Sequence, residues 1–236
     1  MQAADPATSG QRFPTGIPGL DPLLHGGLLV GGVYLLVGPP GAGKTVLANQ
    51  IAFAVAQRDE QVVYLTILSE THTRLLASLR PFAYFDPTLV GHRITYVSDY
   101  EAYRTHGMEA LVTLIQRTIR TQQAQLLVMD GLPLSEPGVP SNPALDDLLH
   151  RLQAWSELTG CTTLILAPEN SSTWDSHSFL LMDGALQLHR QLAGQQVHRA
   201  LEVRKFRGSA YLAGPHPFVI TPDGITVQPE TGRAPA

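Results

Sequence analysis

Apolar residues fall along this chain in two alternating textures. Short runs at 33–37, 62–67, 94–97, 126–130 and 162–167 are apolar at nearly every position. Between them lie longer stretches, 44–57, 73–79, 108–120 and 143–158, in which apolar residues recur every three or four positions. Runs without polar alternation predict strands buried on both faces, and the longer spacing predicts helices packed against them. From Gly184 the texture changes to strands separated by turns, at 185–189, 201–206, 218–220 and 225–228, with Pro222-Asp223-Gly224 as a tight turn. The predicted fold is therefore α/β: a central, mostly parallel sheet flanked by helices, with a C-terminal antiparallel extension. Residues 1–11 and 229–236, rich in Pro, Ala, Gly, Thr and Gln, read as flexible tails on one domain spanning 12–228.

Composition narrows the function. At 236 residues there is room for one domain of this kind with a full core. The net charge of −4 gives no overall basic field to attract nucleic acid or an anionic membrane. The single cysteine, Cys161, excludes an intramolecular disulfide and reads as a buried, inert thiol in an apolar run. Nine histidines are scattered without metal-ligand spacing, and no G-x-S-x-G elbow supports a hydrolase triad. The N-terminus, Met1-Gln2-Ala3-Ala4-Asp5-Pro6, has no basic start or apolar stretch, and the run 28–37 is too short for a membrane span. The expectation is a soluble, cytoplasmic protein without a membrane partner.

Sixteen basic residues include only two lysines. Lys44 closes Gly38-Pro39-Pro40-Gly41-Ala42-Gly43-Lys44-Thr45, which fits G-x-x-x-x-G-K-[ST] between a predicted strand and a predicted helix. Glycines let the backbone turn so that successive N–H groups converge on phosphate oxygens, and the helix starting at Lys44 adds its positive end. Gly38, Pro39, Pro40, Gly41, Ala42, Gly43, Lys44, Thr45 and Val46 thus form a candidate ATP phosphate site. Lys44 is expected to reach the β and γ phosphates and Thr45 to ligate Mg²⁺. Asp130, ending the strand Leu126-Leu127-Val128-Met129, is the candidate acidic partner for the Mg²⁺, against the alternative of a simple turn former. Glu70, at the end of the strand segment that begins at Val62, is the candidate base for water; the alternative is a helix first-turn carboxylate favoured by the dipole.

In this order the motifs resemble the KaiC-like branch of the RecA-type P-loop ATPases. The resemblance starts at Thr15-Gly16-Ile17-Pro18-Gly19-Leu20-Asp21 and continues through the P-loop, Ser69-Glu70 and the Asp130 strand. It closes with Met182-Asp183-Gly184, Val203-Arg204-Lys205-Phe206-Arg207-Gly208 and Phe218-Val219-Ile220-Thr221-Pro222-Asp223-Gly224. It implies a RecA-like fold and ATP bound between subunits of a ring or filament. By position, Lys205 and Arg207 would meet the γ-phosphate of a neighbouring subunit, much as an arginine finger does. Without the resemblance the same pair reads as an ordinary amphipathic edge strand.

Two departures matter. Ser69-Glu70 stands where the family commonly has two glutamates, so hydrolysis slows or fails if the first of them is the essential base. Related RecA-type enzymes work with one glutamate, and ATP hydrolysis is the expectation here. The chain also has one ATPase unit where the clock protein has two, so its phosphorylation chemistry and timekeeping are not implied.

Three functions compete: an oligomeric ATPase switch acting through protein partners, a RecA-type DNA-binding ATPase, and a pseudo-ATPase that uses ATP only for assembly. Segments 131–150 and 168–189 carry no lysine or arginine, a poor basis for DNA phosphate contacts, which ranks DNA below a protein partner. The Pro-rich segment 131–140 is a candidate partner surface or a stiff connector, and Glu169-Asn170 a γ-phosphate sensor or a turn cap.

Overall fold

The structure is a computed structural model, and it describes residues 10–67, 72–98, 100–132, 143–169, 174 and 177–230, with the backbone alone at 100–103, 106, 177 and 178. Near the N-terminus the short strands β1 (Arg12–Phe13) and β2 (Leu28–Leu29) pair antiparallel, with α1 (Leu20–Leu23) between them. The main sheet follows: β3 (Val33–Gly38), α2 (Lys44–Ala56), β4 (Val62–Thr66), α3 (His72–Leu79), β5 (Ile94–Ser98), α4 (Tyr100–Gln122) and β6 (Leu126–Asp130). Then come α5 (Pro143–Thr159), β7 (Thr162–Pro168), α6 (His177–Leu181), β8 (Gly184–Ala193), β9 (Gln196–Phe206), β10 (Pro215–Thr221) and β11 (Gly224–Val227).

Nine strands form one sheet in the order β11-β10-β9-β8-β3-β7-β6-β4-β5. The five strands read from apolar runs pair in parallel, as expected. One correction concerns β8. The sequence places it with the antiparallel extension, yet it pairs parallel to β3, with Tyr34 opposite Gly184, and the antiparallel part starts only at β9. The chain crosses over through α6 before re-entering the sheet, and a short crossover leaves no strong periodic signal. A second difference is α4. Its first turns precede the apolar pattern at 108–120, and Gly107, at φ 69°, joins the two helical parts across a kink.

Every residue of β3 is buried, because alternate side chains serve two separate cores. Tyr34 and Leu36 enter the layer built around α2, whereas Val33, Leu35 and Val37 enter the layer of α4 and α5. That is the physical meaning of the unbroken apolar run. The helix α2 is itself covered on both sides. The sheet lies under it, and the N-terminal segment with the C-terminal hairpin lies over it, so apolar residues occupy its whole circumference.

The N-terminal segment works as a clasp. Asp21 Oδ1 accepts from the Thr15 amide (2.8 Å) and hydroxyl (2.6 Å), and Oδ2 from the Gly16 amide (3.1 Å). Gly19, at φ 81°, lies so close to β11 that a Cβ there would stand 1.9 Å from the Val227 carbonyl oxygen. The Val227 amide donates to the Pro18 carbonyl at 2.9 Å. From the other side, the buried Gln50 of α2 accepts from the Ile225 amide (2.6 Å) and donates to its carbonyl (3.2 Å). Gln50→Leu keeps the volume but leaves both backbone groups of Ile225 unsatisfied. Urea unfolding is expected to show a loss of about 2–3 kcal/mol.

Candidate functional site

The parallel register places the ends of four strands on one edge. Gly38 stands opposite Pro168, and Asp130 stands between Thr66 and Leu166. Ligands bind at this carboxyl edge in open α/β sheets. Residues 39–43 form a loop leading from β3 into α2, and the helix begins at Lys44 with Gly43 at φ 112° before it. The Lys44 Nζ arches back over this loop and donates to the carbonyls of Gly38 (2.6 Å) and Pro39 (3.2 Å). Partial burial lowers its pKa, while the negative charges of Asp130 and Glu169 pull it the other way. Val46, half-buried one residue past Thr45, packs against the α2 core layer.

Thr45 and Asp130 meet directly. The Thr45 hydroxyl donates to Asp130 Oδ2 at 3.1 Å, joining the first turn of α2 to the end of β6. The Tyr64 hydroxyl donates to the same oxygen, also at 3.1 Å. Tyr64 is fully buried in β4, and burial beside the Asp130 charge holds its phenol far above the ordinary range. Behind it, Asn49 Nδ2 donates to the Tyr64 hydroxyl (3.0 Å) and to the Thr45 carbonyl (2.8 Å), and Asn49 Oδ1 accepts from the Tyr96 hydroxyl (2.8 Å). Four elements, α2, β4, β5 and β6, thus share one polar chain that ends on Asp130.

Sequence reasoning missed Tyr64, Asn49 and Tyr96. The available signal was a polar atom in a buried position: a tyrosine inside an apolar strand and an asparagine inside an apolar helix both require a partner.

The remaining predicted residues fall in different places. β4 ends at Thr66, and Ser69 and Glu70 lie outside the described residues, as do 133–142 and Asn170. Glu169 sits at the site edge, where its carboxylate accepts from Gln187 at 2.6 Å and its amide donates to the Gly38 carbonyl at 3.3 Å. Lys205 and Arg207 do converge, but not on the phosphate loop. Lys205 Nζ donates to the carbonyls of Phe179 and Leu180 (2.9 Å each), and Arg207 Nη2 to Leu180 (2.8 Å). Lys205 lies opposite Ala185, which lies opposite Leu35, and the Arg207 amide bonds the Asp183 carbonyl. These cations therefore occupy the end of the sheet away from Gly38.

Comparison with known proteins bears on the family and the fold. The family model described as "ATPase: KaiC" matches residues 13–232. A UPF0273 protein of Methanopyrus kandleri is 28% identical, with 93% of each chain covered. The circadian clock oscillator protein KaiC of a Picosynechococcus strain is 26% identical over 93% of this chain but only 45% of the clock protein. The crystal structure of a KaiC-like protein from Pyrococcus horikoshii OT3 superposes with a TM-score of 0.78 at 25% identity, covering 93% of this chain and 99% of that one.

The junction on Asp130 yields a direct test. Tyr64→Phe removes one donor to the carboxylate that faces Thr45 and one acceptor of Asn49, whose Nδ2 keeps its bond to the Thr45 carbonyl. Nucleotide binding in the presence of Mg²⁺ is expected to weaken by roughly 10-fold, with binding in excess chelator unchanged. Equal binding with and without Mg²⁺ in wild type and variant would contradict a metal-facing role for Asp130.

Proposed function

This chain belongs to the KaiC family of ATPases, and from that premise we propose that it is a Mg²⁺-dependent ATPase that acts as an oligomeric, nucleotide-governed switch on protein partners. The observation that carries the reading is the 3.1 Å contact between the Thr45 hydroxyl and Asp130, which joins the phosphate loop to an acidic strand end. Both side chains present hard oxygen donors of the kind Mg²⁺ prefers. Thr45 and Asp130 would hold the Mg²⁺, which would supply charge neutralisation to the phosphate chain. The chain does the rest: the backbone N–H groups from Gly41 to Val46 cradle the phosphates while Pro39 and Pro40, which have none, shape the loop, Lys44 turns from its carbonyls to the β and γ oxygens, and Glu70 takes the proton of the attacking water.

Lys205 and Arg207 complete the site of a second copy. Their position away from the chain's own Gly38 supports this, since in cis they have no phosphate loop to serve. A protein rather than DNA is favoured as partner by the absence of lysine and arginine from 131–150 and 168–189. Residues 131–140 are the surface proposed for it.

The test is turnover of Mg-ATP by the full chain. Lys44→Ala and Arg207→Ala are each expected to lower kcat by roughly 100-fold or more, with Glu70→Gln comparably impaired. Mixing the Lys44→Ala and Arg207→Ala proteins restores part of the activity, because mixed neighbours pair an intact loop with an intact cation. A silent mixture sinks the shared site. Tight ATP binding and nucleotide-dependent assembly without turnover reassign the protein as a pseudo-ATPase, and strong stimulation by single-stranded DNA moves the partner to nucleic acid.

A further inference from the structure

The hairpin of β8 and β9 carries two arginines that face each other. Arg190 and Arg199 are register partners, two residues beyond the buried pair Leu188 and Leu201. Alternate residues of a strand share a face, so both guanidiniums rise on the α2 side of the sheet, where Leu188 and Leu201 pack into the core. Directly opposed like charges on neighbouring strands are destabilising. Nothing offsets them here: among the described residues neither arginine has a carboxylate partner, and the Arg199 Nε is buried without any hydrogen bond. Elsewhere on the same hairpin Arg204 has a carboxylate partner in Glu202, at 3.1 Å.

The uncompensated pair adjoins the phosphate loop. β8 presses against its first residue so closely that a Cβ on Gly38 would lie 2.5 Å from the Leu188 carbonyl oxygen. Two residues further along the strand, the exposed Arg190 reaches the loop itself, with its Nε 3.9 Å from where a Cβ of Gly41 would stand. We propose that Arg190, backed by Arg199, is an additional anion subsite that binds the phosphate chain of the nucleotide held by the same chain's P-loop. The proposal rests on the nucleotide reading of that loop. A phosphate supplies the negative charge that the hairpin lacks, and guanidinium–phosphate hydrogen bonds are among the stronger ones available. Arg190 is the primary ligand, because it is exposed and overhangs Gly41; Arg199 sets the local potential from below.

Binding of fluorescent ATP and ADP analogues, together with thermal unfolding, tests it. Arg190→Gln is expected to bind Mg-ATP roughly 10-fold more weakly, and Arg190→Lys to recover part of the loss. Arg204→Gln removes an equal charge from the other face of β9 and is expected to bind like wild type. The nucleotide-free Arg190→Gln protein should melt no lower than wild type, because a repulsive pair has been relieved, yet gain less thermal stability on adding ATP. Wild-type affinity in both Arg190→Gln and the Arg190→Gln/Arg199→Gln double variant, with Lys44→Ala defective, overturns the subsite and leaves the P-loop reading standing. Failure of the wild-type chain to bind nucleotide at all overturns the P-loop reading itself. A defect of Arg190→Gln that disappears on dilution to the monomer assigns the arginine to a neighbour's nucleotide and overturns the proposal as stated.

Discussion

The ligand edge of this protein depends on one carboxylate oxygen. Asp130 Oδ2 accepts from Thr45 on α2 and from Tyr64 on β4, and Tyr64 is held in turn by Asn49 and Tyr96. A charge at the floor of an apolar sheet is costly unless donors are already in place around it. The protein meets that cost with hydroxyls and one amide drawn from different elements, so the carboxylate and the phosphate loop are fixed relative to each other by direct bonds. The same chain constrains the fold. A slip of one residue in β4 would turn Tyr64 to the opposite face of the sheet and strip Asp130 of a donor. Register and site geometry are therefore one constraint.

How much of this was legible depended on how local each feature is. The phosphate loop is eight consecutive residues between a strand and a helix, and Asp130 ends an apolar run; both could be read directly. The parallel strands β3, β4 and β6 were equally plain, because burial on two faces keeps them almost wholly apolar, whereas β5, at the sheet edge, is only partly buried. The polar chain behind Asp130 was not legible. Asn49, Tyr64 and Tyr96 are far apart in sequence, and only the pairing of β4 between β5 and β6 brings them together. The direction of β8 was lost for a similar reason. Its composition suits either sense, and among the described residues the one helix of the crossover that decides it is the five-residue α6. The arginine pair shows the same limit: two single arginines nine residues apart carry no pattern until a hairpin register places them face to face.

The sheet is also polar in its chemistry. At its carboxyl edge stand the phosphate loop, Asp130, Glu169 and the overhanging Arg190. At the other end stand Lys205 and Arg207, bound to the last carbonyls of α6. A single copy keeps these two sets apart along the strands, and the proposed oligomer would bring one set of each chain to the other set of the next. The proposed switch would then rest on strand direction alone, with nucleotide at one end sensed where two chains meet.

The contacts of Lys205 and Arg207 with α6 bear on whether such a role is open to them. Carbonyls at a helix C-terminus are natural partners for cations, and the short helix α6 has two of its own engaged this way. Those acceptors are neutral. Exchanging them for phosphate oxygens replaces neutral acceptors by charged ones, and charge-assisted bonds are roughly twice as strong. Burial and the neighbouring Arg207 lower the pKa of Lys205, with Asp183 acting in the opposite sense. Arg207 is more exposed and always charged. The carbonyls of α6 therefore hold both cations together through neutral acceptors, and the proposed finger role requires such groups to be ordered before a phosphate arrives.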